Sequence, residues 1–314
     1  MKIVFVEPLG LNEDLLLETK KYFDNLGLNL VYYKDRKENG EEIINRVGDA
    51  DIMTVSNIPI TEEIIKSCKN LKLINVAFTG IDHIDLEACK KYGISVCNAA
   101  GYSTIAVMEL TVGLTLSLLR NISIMDCETR KLQGRGNYLG TELYGKTVGI
   151  VGTGAIGMYV ANIFLNFGCN ILAYNRSGKN VGFVKYVSLD ELFRKSDIIS
   201  LHLPATFETK SIIDRDLLSK MKSSAIIINT ARGQIIDYYA LSELLKENRI
   251  AGAGIDVYET EPPLPEDHPL FSAPNTILLP HVGYATKEAM IKRLDIVKSN
   301  ILSFLDGNLI NRIV

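Results

Sequence analysis

Two kinds of site in this 314-residue chain place chemistry-capable residues where a fold could gather them. The first is TVGIVGTGAIG, in which an apolar run meets Gly152, Gly154 and Gly157 and passes into the helix-compatible MYVANIFLNFG. The second is a series of strand ends. IIINTARG closes on Arg232, GIDVYETEP on Asp256 and Glu261, and ILLPHVGYAT on His281. In a doubly wound sheet, ligands bind outside the carboxyl ends of the strands. A guanidinium, a carboxylate and an imidazole there would converge on one crevice able to bind an anion and move a proton. Each also has a plainer reading. Arg232 would serve as a surface residue before a helix, Glu261 as a solvated acid among prolines, and His281 as a satisfied histidine after a strand.

The glycine stretch has the context that dinucleotide binding requires. Gly152 allows the tight turn, Gly154 lets backbone approach a pyrophosphate, and Gly157 permits close helix packing. The helix N-terminus, with Ala155 and Ile156, faces the phosphates. NAD sites usually place an acid about 20 residues further on. Here the next strand, ILAYNRS, ends in Asn175, Arg176 and Ser177, and no carboxylate claims the ribose 2′-hydroxyl. Arg176 and Lys179 would meet a 2′-phosphate, so NADP is expected ahead of NAD. The alternative keeps NAD, with Arg176 a solvated strand-end residue and Asp190 or another acid on the ribose.

Those residues need a scaffold, and its elements are legible. Short Ile- and Val-rich runs alternate with amphipathic stretches, the pattern of βαβ units and an α/β fold with parallel sheets. KIVFVEP, LNLVYY, ADIMTVS, LKLINVAF and ISVCN form one series, with helical stretches such as 11–26, 61–69 and 85–92 between them. A long apolar helix is expected from about 104 to 131, then a glycine-broken connector, LQGRGNYLGTELYGK. KTVGIVG, NILAYN, DIISLHLP, SAIIINT, AGAGIDV and NTILLP form the second series. A final helix, about 286 to 306, has no sheet of its own left to cover and is expected to return to the first series.

Composition narrows the function classes. With 34 basic and 37 acidic residues the net charge is −3, and no block of like charge suggests a nucleic-acid arm or a membrane patch. No apolar run reaches membrane-spanning length, and MKIVFVEPLG reads as a first strand. Five cysteines without a C-x-x-C pair argue against a disulfide framework, and four histidines show no metal-binding spacing. The expectation is a cytoplasmic protein without a metal.

In GTGAIG, INTARG, AGAGIDVYETEPP and LLPHVGYAT, and earlier in FTGIDHIDLEACKKYGISVCN and GYSTIAVMEL, the chain resembles the D-isomer-specific 2-hydroxyacid dehydrogenases, over nearly its whole length. The resemblance implies a Rossmann-type cofactor domain, residues 99–285, and a discontinuous flavodoxin-like substrate domain, residues 1–98 and 286–314, flanking a cleft. It implies that Arg232, Glu261 and His281 are the catalytic set. His281 would give a proton to the alkoxide formed when hydride reaches a 2-keto acid, with Glu261 favouring its protonated form. The prolines after Glu261 would stiffen its loop. Arg232 would hold the substrate carboxylate bidentately and polarise the keto oxygen. The amides of Thr79 and Gly80 would take the other side of the carboxylate. Leu203, Pro204, Thr230, Ala231 and Thr104 would line the cofactor site. Asp256 would lie near the nicotinamide or support Arg232, or else cap its loop through backbone hydrogen bonds.

The glycerate dehydrogenase and hydroxypyruvate reductase branch makes glyoxylate or hydroxypyruvate the expected substrate. A homodimer is expected, with the 104–131 helix and its connector forming the interface as in relatives, although burial within one subunit would explain the same apolar pattern. An ending at Val314 leaves the extra regulatory domain of some phosphoglycerate dehydrogenases unexpected. The chain departs from the family in having Val107, Met108 and Glu109 where many members have V-A-E, and in lacking the acid at the second strand. The rival readings are a D-lactate or other D-2-hydroxyacid dehydrogenase using NAD, and a non-catalytic dinucleotide sensor of the corepressor type.

Overall fold

The computed structural model describes residues 1–176 and 183–314, so Ser177 and Lys179 lie outside the described residues. The chain divides into two compact units, Met1–Ser103 with Ala285–Val314, and Thr104–Tyr284.

In the first unit β1 (Lys2–Phe5), α1 (Glu13–Asn25), β2 (Asn29–Tyr32), α2 (Gly40–Val47), β3 (Ile52–Val55), α3 (Glu62–Ser67), β4 (Leu73–Val76), α4 (Leu86–Tyr92) and β5 (Ser95–Asn98) alternate. The strands pair in parallel in the order β2-β1-β3-β4-β5, the flavodoxin-like arrangement. Strands β3 and β4 are buried at every position, as expected of a sheet covered on both faces.

The second unit opens with α5 (Thr104–Arg120) and α6 (Ile122–Arg130). The single helix expected over 104–131 is therefore two. Asn121 takes a left-handed φ of 49°, and the axes bend by 59° there. The apolar pattern runs through the break, which periodicity alone does not register. Then come β6 (Thr147–Val151), α7 (Ala155–Asn166), β7 (Asn170–Tyr174), β8 (Lys185–Tyr186), α8 (Leu189–Lys195), β9 (Ile198–Leu201), α9 (Arg215–Leu218), β10 (Ile226–Asn229), α10 (Tyr238–Lys246), β11 (Gly252–Ile255) and β12 (Thr276–Leu278). The parallel order β12-β11-β10-β9-β6-β7-β8 reverses at β6, placing a switch-point crevice at the carboxyl ends of β6, β7 and β9. The two-residue edge strand β8 was too short to announce itself in the sequence.

The last helix, α11 (Lys287–Leu305), belongs to the first unit. Thr286 caps it, accepting from the Ala289 amide. Asn300 Nδ2 donates to Asn75 Oδ1 and to the Asn98 carbonyl, each at 3.0 Å, and Asn75 Nδ2 donates to the Val297 carbonyl. Arg293 is buried, bonds the Leu9 carbonyl and sits 5.6 Å from the ring centres of Phe78 and Tyr102. Among the described residues no single helix is long and apolar enough to cross a membrane. All five cysteines are free thiols, and burial pushes Cys97 up to about 12.

Candidate active site

The glycine turn between β6 and α7 carries its function in its backbone. A Cβ on Gly152, whose φ is 102°, would stand 2.5 Å from the His202 carbonyl oxygen, and one on Gly157 would stand 2.0 Å from the Gly152 carbonyl oxygen. A Cβ on Gly154, the residue before α7, would meet nothing within 4 Å. Two of the glycines thus pack the turn against its surroundings, and the third leaves the approach to the helix N-terminus open. A pyrophosphate fits that combination. Ala155 is exposed and Ile156 half-buried at the start of the helix.

Around this turn, Asn175 at the end of β7 donates to Thr153 Oγ1 at 2.7 Å. Arg176 is exposed and lies 3.6 Å from Glu208 Oε2, an ion pair from the end of β7 to the loop after β9. The Thr206 hydroxyl donates to Glu208 at 2.7 Å and is the first cause of its carboxyl lying below the ordinary range. Asp190, the alternative ribose ligand, instead lies in α8, where hydrogen bonds from Arg194 and Lys220 hold its carboxyl down to about 2. Leu203 is half-buried and Pro204 exposed just beyond β9. The buried hydroxyls of Thr230 and Thr111 meet at 3.0 Å, fastening the end of β10 to α5, and Thr104 is buried at the start of that helix.

His281 and Glu261 pair where the loops after β11 and β12 meet. His281 Nδ1 lies 2.9 Å from both Glu261 oxygens, so the carboxylate fixes which way the imidazole ring faces. The His281 side chain is 18% exposed and that of Glu261 56%, so the pair is open to solvent on the carboxylate side. His281 has a left-handed φ of 56°, uncommon for a residue with a side chain. Asp256 accounts for it. This buried carboxylate accepts from the Val282 amide on one oxygen and the Gly283 amide on the other, both at 2.8 Å, which pins the backbone immediately after His281. Burial raises the Asp256 carboxyl above its ordinary range. Both Asp256 bonds run to backbone amides of the His281 turn and not to amides of its own loop.

Arg232 follows β10 and is half-buried, with one guanidinium nitrogen donating to the Ala231 carbonyl at 2.8 Å. Its turn touches the loop that carries Glu261. A Cβ on Gly233 would fall 1.8 Å from the Tyr258 carbonyl carbon, and Gln234 Nε2 donates to the Glu259 carbonyl at 3.4 Å. Three strand ends are therefore joined through neighbouring loops. Thr79 and Gly80 lie in the first unit just past β4, and Asn98 Nδ2 holds the Thr79 carbonyl at 2.8 Å.

Several residues that support this site escaped the sequence reading. His202 Nε2 lies 2.8 Å from Ser200 Oγ, and burial pushes its imidazole down to about 3. His268 is buried with Nε2 3.3 Å from Glu259 and its ring edge-on to Tyr258. Asn229 and Tyr238 are fully buried beneath the Arg232 turn. Their partners lie within about 20 residues, but at no spacing that a sequence motif marks.

The family model described as "D-isomer specific 2-hydroxyacid dehydrogenase, NAD binding domain" matches residues 112–283. A hydroxypyruvate reductase of Blautia hydrogenotrophica is 34% identical over 322 residues, covering 99% of this chain and 99% of the relative. A D-3-phosphoglycerate dehydrogenase of Methanocaldococcus jannaschii is 40% identical over 281 residues, covering 87% of this chain, which spans 53% of that longer protein. Among solved structures, an acyclic imino acid reductase in complex with NADPH and D-Arg superposes with a TM-score of 0.92 at 35% identity over 100% of both chains. Strand order, glycine turn and a match running through more than half the chain agree, and the chain belongs to the D-isomer-specific 2-hydroxyacid dehydrogenase family.

Proposed function

We propose that this chain reduces a small 2-keto acid of the glyoxylate or hydroxypyruvate type to the D-2-hydroxy acid, with NADPH preferred to NADH. The observation that carries the reading is the His281–Glu261 pair beside the Arg232 turn. The dinucleotide would be held by the turn at Gly152, Gly154 and Gly157 and by the amides of Ala155 and Ile156, with Arg176 toward a 2′-phosphate. Bound there, the dihydronicotinamide supplies the hydride. Arg232 binds the substrate carboxylate and draws charge from the keto oxygen. His281 donates its Nε2 proton to that oxygen as negative charge develops, while Glu261 holds Nδ1 and orients the ring. Asp256 keeps the His281 turn in place. Thr79 and Gly80 would supply amides for the carboxylate, and the first unit is proposed as the substrate-binding domain. The chain is proposed to work as a cytoplasmic homodimer.

The test is steady-state oxidation of NADPH and NADH, separately, with hydroxypyruvate, glyoxylate and pyruvate. Turnover of hydroxypyruvate or glyoxylate faster than pyruvate, and faster with NADPH, is expected. His281→Ala should lower kcat by roughly 10³-fold or more with nucleotide binding retained. Undiminished turnover in that variant removes His281 as the proton donor. Silence across the panel with nucleotide still bound moves the assignment to a larger 2-keto acid or to a sensor.

A further inference from the structure

Arg232 and Glu261 sit on different loops, and a catalytic set spread over loops works only if something fixes the loops to each other. Beneath them lies a buried amide and a buried phenol. Asn229, the last residue of β10, accepts from the Ala231 amide at 3.1 Å and donates through Nδ2 to the Arg232 carbonyl and to the Tyr238 phenolic oxygen, each at 3.0 Å. Tyr238, the first residue of α10, donates in turn to the Val257 carbonyl.

Proton accounting leaves one direction for this relay. Both Nδ2 hydrogens of Asn229 are spent on acceptors, so the phenol is the acceptor from Asn229 and the donor to Val257. Burial raises the Tyr238 hydroxyl well above its ordinary range, which keeps that donor in its neutral form. The relay therefore joins the carbonyl of Arg232 to the chain immediately after β11, four residues before Glu261. The same two segments touch directly at Gly233 and Tyr258, with no room for an added methyl.

We propose that Asn229 and Tyr238 are positioning residues for the reaction, a buried relay that sets Arg232 against the loop bearing Glu261. The inference rests on the role given to Arg232 above. A phenylalanine at 238 would fill the same space but strand the Val257 carbonyl and one Asn229 hydrogen, and unpaired buried groups move until they find partners.

The experiment is a double-mutant cycle in the full-length protein, using whichever of hydroxypyruvate and glyoxylate is turned over best. Tyr238→Phe should lower kcat/KM about 10-fold or more, mostly through KM for the keto acid, while the dissociation constant for NADPH, read by its fluorescence, stays within about twofold. In an Arg232→Lys background the same change should cost less than about threefold, because the group it positions is already altered. A kcat/KM within twofold of the unaltered enzyme, or an equal penalty in both backgrounds, overturns the relay. Arg232→Lys with undiminished kcat/KM instead overturns the role of Arg232 itself, so the two failures are distinct. If Tyr238→Phe does not fold, Asn229→Ser carries the same cycle, since its hydroxyl can still serve the Ala231 amide without reaching Tyr238.

Discussion

Glycines that look equivalent in a motif have separable jobs in the fold. Gly154→Ala places its methyl in open space, so the thermal midpoint should hold while NADPH and NADH bind at least 10-fold more weakly, because the methyl stands where a phosphate approaches. Gly157→Ala drives a methyl onto the Gly152 carbonyl oxygen and should lower the midpoint by several degrees. Equal effects from both, in a thermal melt with and without nucleotide, would refute the division. His202 gives the protein a pH dependence of definite sign. Its folded-state value is depressed from 6.5 to about 3, so the stability it contributes is fully present above 6.5 and is lost as pH falls toward 3. The full shift would be worth roughly 5 kcal/mol, but the residue is only half-buried, and about 2 kcal/mol is the expected loss by pH 4. Denaturant melts between pH 7 and 4 should show the decline, and His202→Asn should flatten it. The residues legible in advance were those with local grammar: three glycines at fixed spacing, and Arg232, Glu261 and His281 at strand ends. Asp256 was legible as a residue but not in its bonds, since the amides it holds lie 26 and 27 positions away.

At the level of elements, burial pattern outran geometry. The Ile-rich runs of β9 and β10 announced a parallel sheet because both faces are covered, whereas the order of the strands within it was not written in any local pattern. The division of the 104–131 stretch at Asn121 did not announce itself, because a left-handed residue changes direction without changing hydrophobicity. The return of α11 to the first sheet was legible only by elimination. Its attachment is polar as well as apolar, and Asn300 is the centre of it. Asn300→Ala leaves Asn75 Oδ1 and the Asn98 carbonyl without their shared donor, and should cost about 2–3 kcal/mol in an equilibrium denaturant melt. A loss under 0.5 kcal/mol would mean that apolar packing by Val297 and Ile301 holds the helix alone.

For the whole molecule, large apolar side chains stand exposed on α6 and the loop after it: Ile122, Ile124, Leu132 and Leu139. If these side chains meet in one patch, the proposed homodimer would bury them. Sedimentation at micromolar concentration should give twice the 34.8 kDa chain mass, and Leu132→Glu with Leu139→Glu should halve it. A single-chain mass for the unaltered protein rules the homodimer out. The discontinuity of the first unit reaches beyond the finished molecule into its synthesis. Its β5 edge is bonded by the backbone of Asn311, Ile313 and Val314, and its sheet is covered by α11, all of them made after the second unit is complete. On a ribosome, the nucleotide-binding unit has its whole sequence in hand first, while the opening five strands wait without the helix that packs on β4 and β5 for some 180 residues of elongation. The part of the chain that is born first is the last that can finish folding, and that interval is when a chaperone has most to protect.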